Sequence, residues 1–175
     1  AFPGMEHLVM SDYPLGTSLL QVPFVLLGGW QFAAVASVLA LIVTTLTTRS
    51  WLRDLGLPEG FALLIPGFLG ALVFGRIAMS DVPGATAVAL ALWLTWRARD
   101  GDWKVAVAAG LIAGATSLFR ETNLLLVAPF VVGALVRGAC VRWALVAGFV
   151  AGIALRLELS ELVFGSATYV RDGGY

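Results

Sequence analysis

The 175 residues are 59% hydrophobic and 13% charged, with a formal net charge of zero and a mean hydropathy of +0.92. Soluble globular domains carry about 25% charged residues, so this composition is that of a membrane protein. The balanced charge leaves no basic face for nucleic acid and no acidic tail. A single Cys140 excludes an intramolecular disulfide, and no paired Cys or His spacing marks a structural zinc site.

The chain opens Ala-Phe-Pro-Gly, with neither the basic nor the apolar segment of a signal peptide, and it ends Gly173-Gly174-Tyr175. It reads as an internal fragment of a longer polytopic protein. Residues 1–29 form an outer loop. Within it Pro14 and Gly16 break the chain, Thr17 can cap a helix start, and the apolar run through Leu27 is too short to span. That run is expected to be a short interfacial helix, kinked at Pro23.

From Trp30 onward the sequence alternates apolar stretches with short polar breaks. A spanning helix needs about 20 mainly apolar residues, or roughly 17 where flanking residues or a thinner bilayer help. Six stretches qualify, near 30–48, 60–78, 83–98, 104–119, 123–137 and 142–158. The expected fold is therefore all-α, a polytopic transmembrane helical bundle over 30–175, with the interfacial helix in the loop before it.

Charge placement orients the spans. With residues 1–29 outside, the inner loops hold Arg49, Arg53, Arg97, Arg99, Lys104, Arg137 and Arg142, seven of the eleven basic residues. The positive-inside rule selects this orientation. Trp30, Trp51, Trp103 and Trp143 fall at helix ends, at the depth where indoles meet headgroups. Gly110 with Gly114, and Gly148 with Gly152, place glycines four apart on one helical face, a spacing that lets helices pack closely. No nucleotide-binding glycine loop is present.

The remaining charges gather on the outer side. Arg76 and Asp81 flank the junction of the second and third spans, and Arg120 with Glu121 lies between the fourth and fifth. An Arg or Asp at mid-membrane depth costs about 2.5–3.5 kcal/mol on insertion scales, so such residues line a polar cavity or pair with one another. Each also has a plain structural role open to it. Ser80 or Asp81 fits as the cap of the helix that begins near Pro83, and Arg76 as a side chain snorkelling to headgroups. Arg120 with Glu121 fits as a local ion pair, His7 as a solvated loop residue and Tyr13 as a belt aromatic.

Four segments occur in a telling order: HLVMSDYPLGTSLLQVPFVLLGGW, GRIAMSDVPGATAVALAL, SLFRETNLLLVAPF and ELVFGSATYVRDGGY. Together they resemble the GT-C superfamily of integral-membrane glycosyltransferases. The likeness is greatest to bacterial members of the branch that includes protein O-mannosyltransferases and aminoarabinose transferases. Those enzymes show a His and a Tyr-Pro-Pro-Gly-like segment in the first outer loop, a Ser-Asp-x-Pro element in the second and an Arg-x-x-Asn element further on. A Phe-Gly-Ser or Phe-Gly-Asn turn then leads to a Gly-Tyr. The resemblance covers nearly the whole chain, with Leu15 standing where the family has a second Pro.

The resemblance implies sugar transfer from a polyprenyl-phosphate donor to an acceptor on the extracytoplasmic face of a bacterial plasma membrane. It assigns Asp81 to the catalytic acidic position of the second loop, orienting the acceptor or holding a divalent cation if one is used. Arg120 is the first candidate for the donor phosphate and Arg76 the second. Glu121 would position Arg120, and His7 with Tyr13 would close the first loop over the sugar. The family's acidic base in the first outer loop would precede residue 1. Family members differ in using a divalent cation, and no other metal ligand is assigned. The sugar and the acceptor stay open. The rival readings are a secondary transporter, which would show paired broken helices in repeated halves, and a non-catalytic membrane scaffold. No internal repeat is visible, and the charges gather at one surface.

Overall fold

The computed structural model describes residues 15–67, 81–135 and 138–164, and every regular element among them is helical. Seven α-helices follow in order: α1 Leu15–Gly28, α2 Ala33–Asp54, α3 Leu64–Gly67, α4 Asp81–Arg97, α5 Trp103–Ala115, α6 Asn123–Leu135 and α7 Ala139–Phe164. Short 3₁₀ turns at Glu59–Leu63, Ala98–Asp100 and Thr116–Leu118 bracket them. Two helical stretches, Trp30–Asp54 and Cys140–Val163, are long and apolar enough to cross a membrane, which fits a membrane-associated protein. Of the other expected spans, α4, α5 and α6 run for 17, 13 and 13 residues. The stretch near 60–78 is described only through Gly67, as a 3₁₀ turn and the single turn of α3.

The interior is built mainly from small and hydroxylic residues, with Val127, Val141 and Leu145 among them, and most large apolar side chains face outward. Ala33, Ala36, Ala40, Ala91, Ala98, Ala106, Ala109 and Ala113 are buried, together with Thr47, Thr86, Thr95 and Thr116. Val38, Leu39, Ile42 and Val43 on α2, and Val150 and Leu162 on α7, are exposed. In water that distribution would waste the hydrophobic effect; in lipid, association relies on close backbone packing and interhelical hydrogen bonds instead.

The most extensive contact joins α5 to α7. A Cβ added at Gly110 would run into the Leu145 carbonyl oxygen, and one at Gly148 into that of Val107. Further along, a Cβ on either Gly114 or Gly152 would lie 3.0 Å from the other glycine's Cα. Contacts therefore advance in the same direction on both helices, so α5 and α7 are parallel, with α6 returning between them. The paired glycine spacings act as expected from the sequence, each helix pressing its backbone against the other.

Polar contacts tie α2 to α4. The Thr44 and Thr86 hydroxyls lie 2.7 Å apart, each 2.9 Å from the Ala40 carbonyl oxygen. At the far end Trp93 Nε1 donates to Asp54 at 3.0 Å, and Arg97 approaches the same carboxylate oxygen at 3.6 Å. Thr86→Val should lower stability by about 0.5–1.5 kcal/mol, because it removes the cross-helix hydrogen bond while keeping the shape. Unfolding by denaturing detergent would measure it, and an unchanged midpoint would mean the hydroxyl contributes nothing.

α1 departs from its sequence reading at one point. Thr17 does not cap the helix; it sits inside the first turns with its side chain fully buried. Gly16 explains why, since a Cβ there would lie 2.9 Å from the Leu118 Cβ. α1 is pressed at Gly16 onto the turn after α5, while Leu19, Leu20, Leu26 and Leu27 are exposed.

Candidate functional site

The site begins with the way α5 ends. Thr116 Oγ1 donates to the Ala113 carbonyl at 2.7 Å and Ser117 Oγ to that of Gly114 at 2.8 Å, so both hydroxyls fold back on the last turn. Such back-bonding competes with the helical ladder, and the chain tightens to a 3₁₀ turn over Thr116–Leu118. Arg120 follows in a held turn: its N–H donates to the Thr116 carbonyl at 3.3 Å, and its own carbonyl accepts from the Asn123 N–H at 3.0 Å. Asn123, the first residue of α6, is buried and donates through Nδ2 to the Thr116 carbonyl at 3.3 Å.

Asp81 reaches this turn from the start of α4. It is the first residue of that helix, and Pro83 in the same turn needs no N–H there. Gly84 lets α4 approach, since a Cβ at that position would lie 3.0 Å from Asn123 Nδ2 and 3.3 Å from the Phe119 Cβ. The result is an ion pair, Arg120 Nη2 to Asp81 Oδ1 at 2.7 Å, with the side chains 53% and 44% exposed. Both residues also line one cleft of about 430 Å³.

That cleft is apolar along its length. Asp81, Gly84, Ala85, Val88, Ala89 and Leu92 line it from one face of α4, Thr122 and Asn123 join Arg120 at its polar end, and Leu126 of α6 and Trp51 of α2 complete it. From Asp81 to Leu92 the α4 residues rise through eleven steps, about 16 Å at helical rise. One mouth therefore carries a carboxylate and a guanidinium beside Thr122 and Asn123, and the wall beyond is aliphatic and aromatic. Trp51, in the last turn of α2, is half-buried in the cleft, its Nε1 without a hydrogen-bond partner among the described residues.

Glu121 does not position Arg120. Its carboxylate pairs with Arg156 of α7, leaving Asp81 as the Arg120 partner. The Arg120–Glu121 local ion pair is corrected accordingly: adjacent residues on a turn project apart, and each charge finds its opposite on a different helix. Two neutral pairs thus lie side by side, so an anion entering the mouth exchanges one ion pair of Arg120 for another. His7, Tyr13, Arg76 and Ser80 lie outside the described residues.

Asn123, Gly84 and Trp51 were not singled out as site residues from the sequence. Asn123 was legible as the fourth residue of Arg-x-x-Asn; Trp51 carries no local signal for its place in the cleft. Among the described residues no group of three His, Cys, Asp or Glu side chains converges to hold a metal ion. Asp81, already paired with a guanidinium, is one carboxylate where a hard cation needs several oxygen ligands. No protein family, curated protein or solved structure matches this chain.

Proposed function

We propose that the chain belongs to an integral-membrane glycosyltransferase of GT-C type, moving a sugar from a polyprenyl-phosphate donor to an acceptor at the extracytoplasmic face of a bacterial plasma membrane. The observation that carries the reading is the Asp81–Arg120 pair at the mouth of an apolar cleft. A lipid-phosphate donor presents an anionic head and a long hydrocarbon tail, and the cleft has a complementary end for each. The order of the motifs supports the same reading, as does the excess of Arg and Lys at the other end of the helices, which turns the Asp81 end outward. In this topology the chain crosses six times, its shorter helices relying on their flanks.

In the transfer, the acceptor attacks the anomeric carbon, the bond from that carbon to the phosphate oxygen breaks, and the polyprenyl phosphate leaves with the electron pair. The acceptor's proton passes to a carboxylate, which the family pattern places ahead of residue 1. Arg120 stabilises the charge that grows on the leaving phosphate: a guanidinium stays protonated in a partly dry site and bonds two oxygens at once. Asp81, released as Arg120 turns to phosphate, orients the acceptor.

Purified full-length protein, reconstituted with labelled polyprenyl-phosphate sugars, should release sugar from the lipid when acceptor lipids or glycans are supplied. Neither release nor saturable binding of any polyprenyl phosphate across a panel of sugars would overturn the reading.

A further inference from the structure

At the end of the molecule opposite Asp81, aromatic and basic side chains pair repeatedly. Four cation–indole contacts occur among the described residues: Arg97 over Trp93 at 5.4 Å, Arg99 over Trp96 at 4.0 Å, Lys104 over Trp103 at 5.9 Å and Arg142 over Trp143 at 5.8 Å. All four lie at this end. Arg97 shares Asp54 with Trp93 and is thereby neutralised within the fold. The other three cations flank one buried cluster: Ala98, Ala106 and Val141 pack together, and Arg99, Lys104 and Arg142 stand one or two residues from them in sequence.

The corner around this cluster holds more positive charge than it can balance. Asp100 faces Arg99 at 3.4 Å and is 75% exposed. Asp102 is engaged in capping α5, accepting from the Lys104 N–H at 2.9 Å and the Val105 N–H at 3.4 Å. Among the described residues no carboxylate lies within ion-pair range of Lys104 or Arg142. Two buried donors, Arg142 Nε and Trp96 Nε1, have no acceptor there either. An anion at the surface would balance Lys104 and Arg142, whereas the two buried N–H groups, closed to solvent, lie out of its reach.

The surroundings define what carries that anion. Trp103 and Trp143 are 52% and 65% exposed. From Trp143 an exposed apolar stripe continues up α7 through Ala147, Val150 and Ala154, at helical spacings of four, three and four. An acidic peptide or free phosphate has no use for such a stripe, whereas a phospholipid places acyl chains there with its phosphate at indole depth.

We propose that this corner binds an anionic glycerophospholipid, its phosphate held by Arg99, Lys104 and Arg142 and its acyl chains laid along the α7 stripe. The assignment does not rest on the sugar-transfer reading, since it uses none of the cleft residues.

The test compares full-length protein in nanodiscs of phosphatidylcholine alone and of phosphatidylcholine mixed with phosphatidylglycerol, read by retained lipid in native mass spectrometry and by thermal unfolding. Phosphatidylglycerol should be retained preferentially and should raise the unfolding temperature. Lys104→Gln and Arg142→Gln should each cut that preference about 5-fold, while Arg142→Lys keeps most of it. Arg49→Gln, which removes a cation already paired with Glu59, should leave it unchanged. Equal retention of the two lipids, or a preference that survives in Lys104→Gln, would overturn the proposal. So would stabilisation by inorganic phosphate alone, which would mark a free-anion site. Lys104 is exposed, so its substitution decides the matter even if Arg142→Gln fails to fold.

Discussion

Asp81→Asn should depress sugar transfer by about 100-fold or more while polyprenyl-phosphate binding holds or tightens. The two effects have opposite signs because Asp81 is both the partner of Arg120 and, in the proposed mechanism, the group that orients the acceptor. Removing its charge frees the guanidinium for phosphate, so the donor dissociation constant should fall or stay level. It also leaves the acceptor without its anchor, and misplacing a reactant by about 1 Å costs about 100-fold in rate. Loss of folding does not explain such an outcome. The pair is half-exposed, and exposed ion pairs contribute about 0–1 kcal/mol, too little to empty the native state. Arg120→Ala should move binding the other way, weakening donor use more than acceptor use. An exchange variant, Asp81→Arg with Arg120→Asp, separates the roles further: it can restore a structural tie between α4 and the turn but not a cation in the phosphate position. Normal turnover by Asp81→Asn, or full rescue by the exchange variant, would reduce the pair to a structural link.

How much of this was legible beforehand depends on the range of the interaction. Apolar run lengths located α2, α4, α5, α6 and α7 to within a few residues at most ends, because a helix in lipid must satisfy its own backbone. The α2 end and both ends of α7 ran further than expected, Asp54 against about 48 and Ala139–Phe164 against 142–158. The glycine pairs were legible because four-residue spacing is a property of one helix. Asp81 and Arg120 could be nominated from motif order, yet their meeting depends on Gly84 admitting the turn at Phe119 and Asn123. The Glu121–Arg156 pair joins residues 35 apart in sequence, and no periodicity reports it. Facing directions were the least legible. With small and hydroxylic residues inside and most large apolar ones outside, hydrophobic periodicity loses its contrast, which is why Thr17 looked like a cap.

Gly152→Leu is expected to destabilise the protein by about 3 kcal/mol or more and to impair the candidate site with it. A Cβ at this position would run into the Leu111 carbonyl oxygen and lie 2.9 Å from the Ala115 nitrogen. These are backbone atoms, so no rotamer change relieves the clash, and α5 and α7 must separate. Overpacking in an interior typically costs about 1–3 kcal/mol, and here the close contacts that replace a hydrophobic driving force between helices in lipid are lost as well. The damage reaches the site through both helices: α5 carries the Thr116–Leu118 turn that holds Arg120, and α7 carries Arg156, four residues beyond Gly152, which pairs with Glu121. Gly110→Leu clashes equally, with the Leu145 carbonyl oxygen and the Phe149 nitrogen, but one turn further from Arg120, so at matched stability it should leave more donor binding intact. Gly60→Ala provides the control, since nothing lies within 4 Å of its added Cβ, and should fall within about 0.5 kcal/mol of wild type. Detergent-denaturation midpoints and donor binding, measured on the same preparations, distinguish these outcomes. Wild-type stability for Gly152→Leu would show that α5 and α7 do not pack backbone to backbone, and the placement of Arg120 would then need another support.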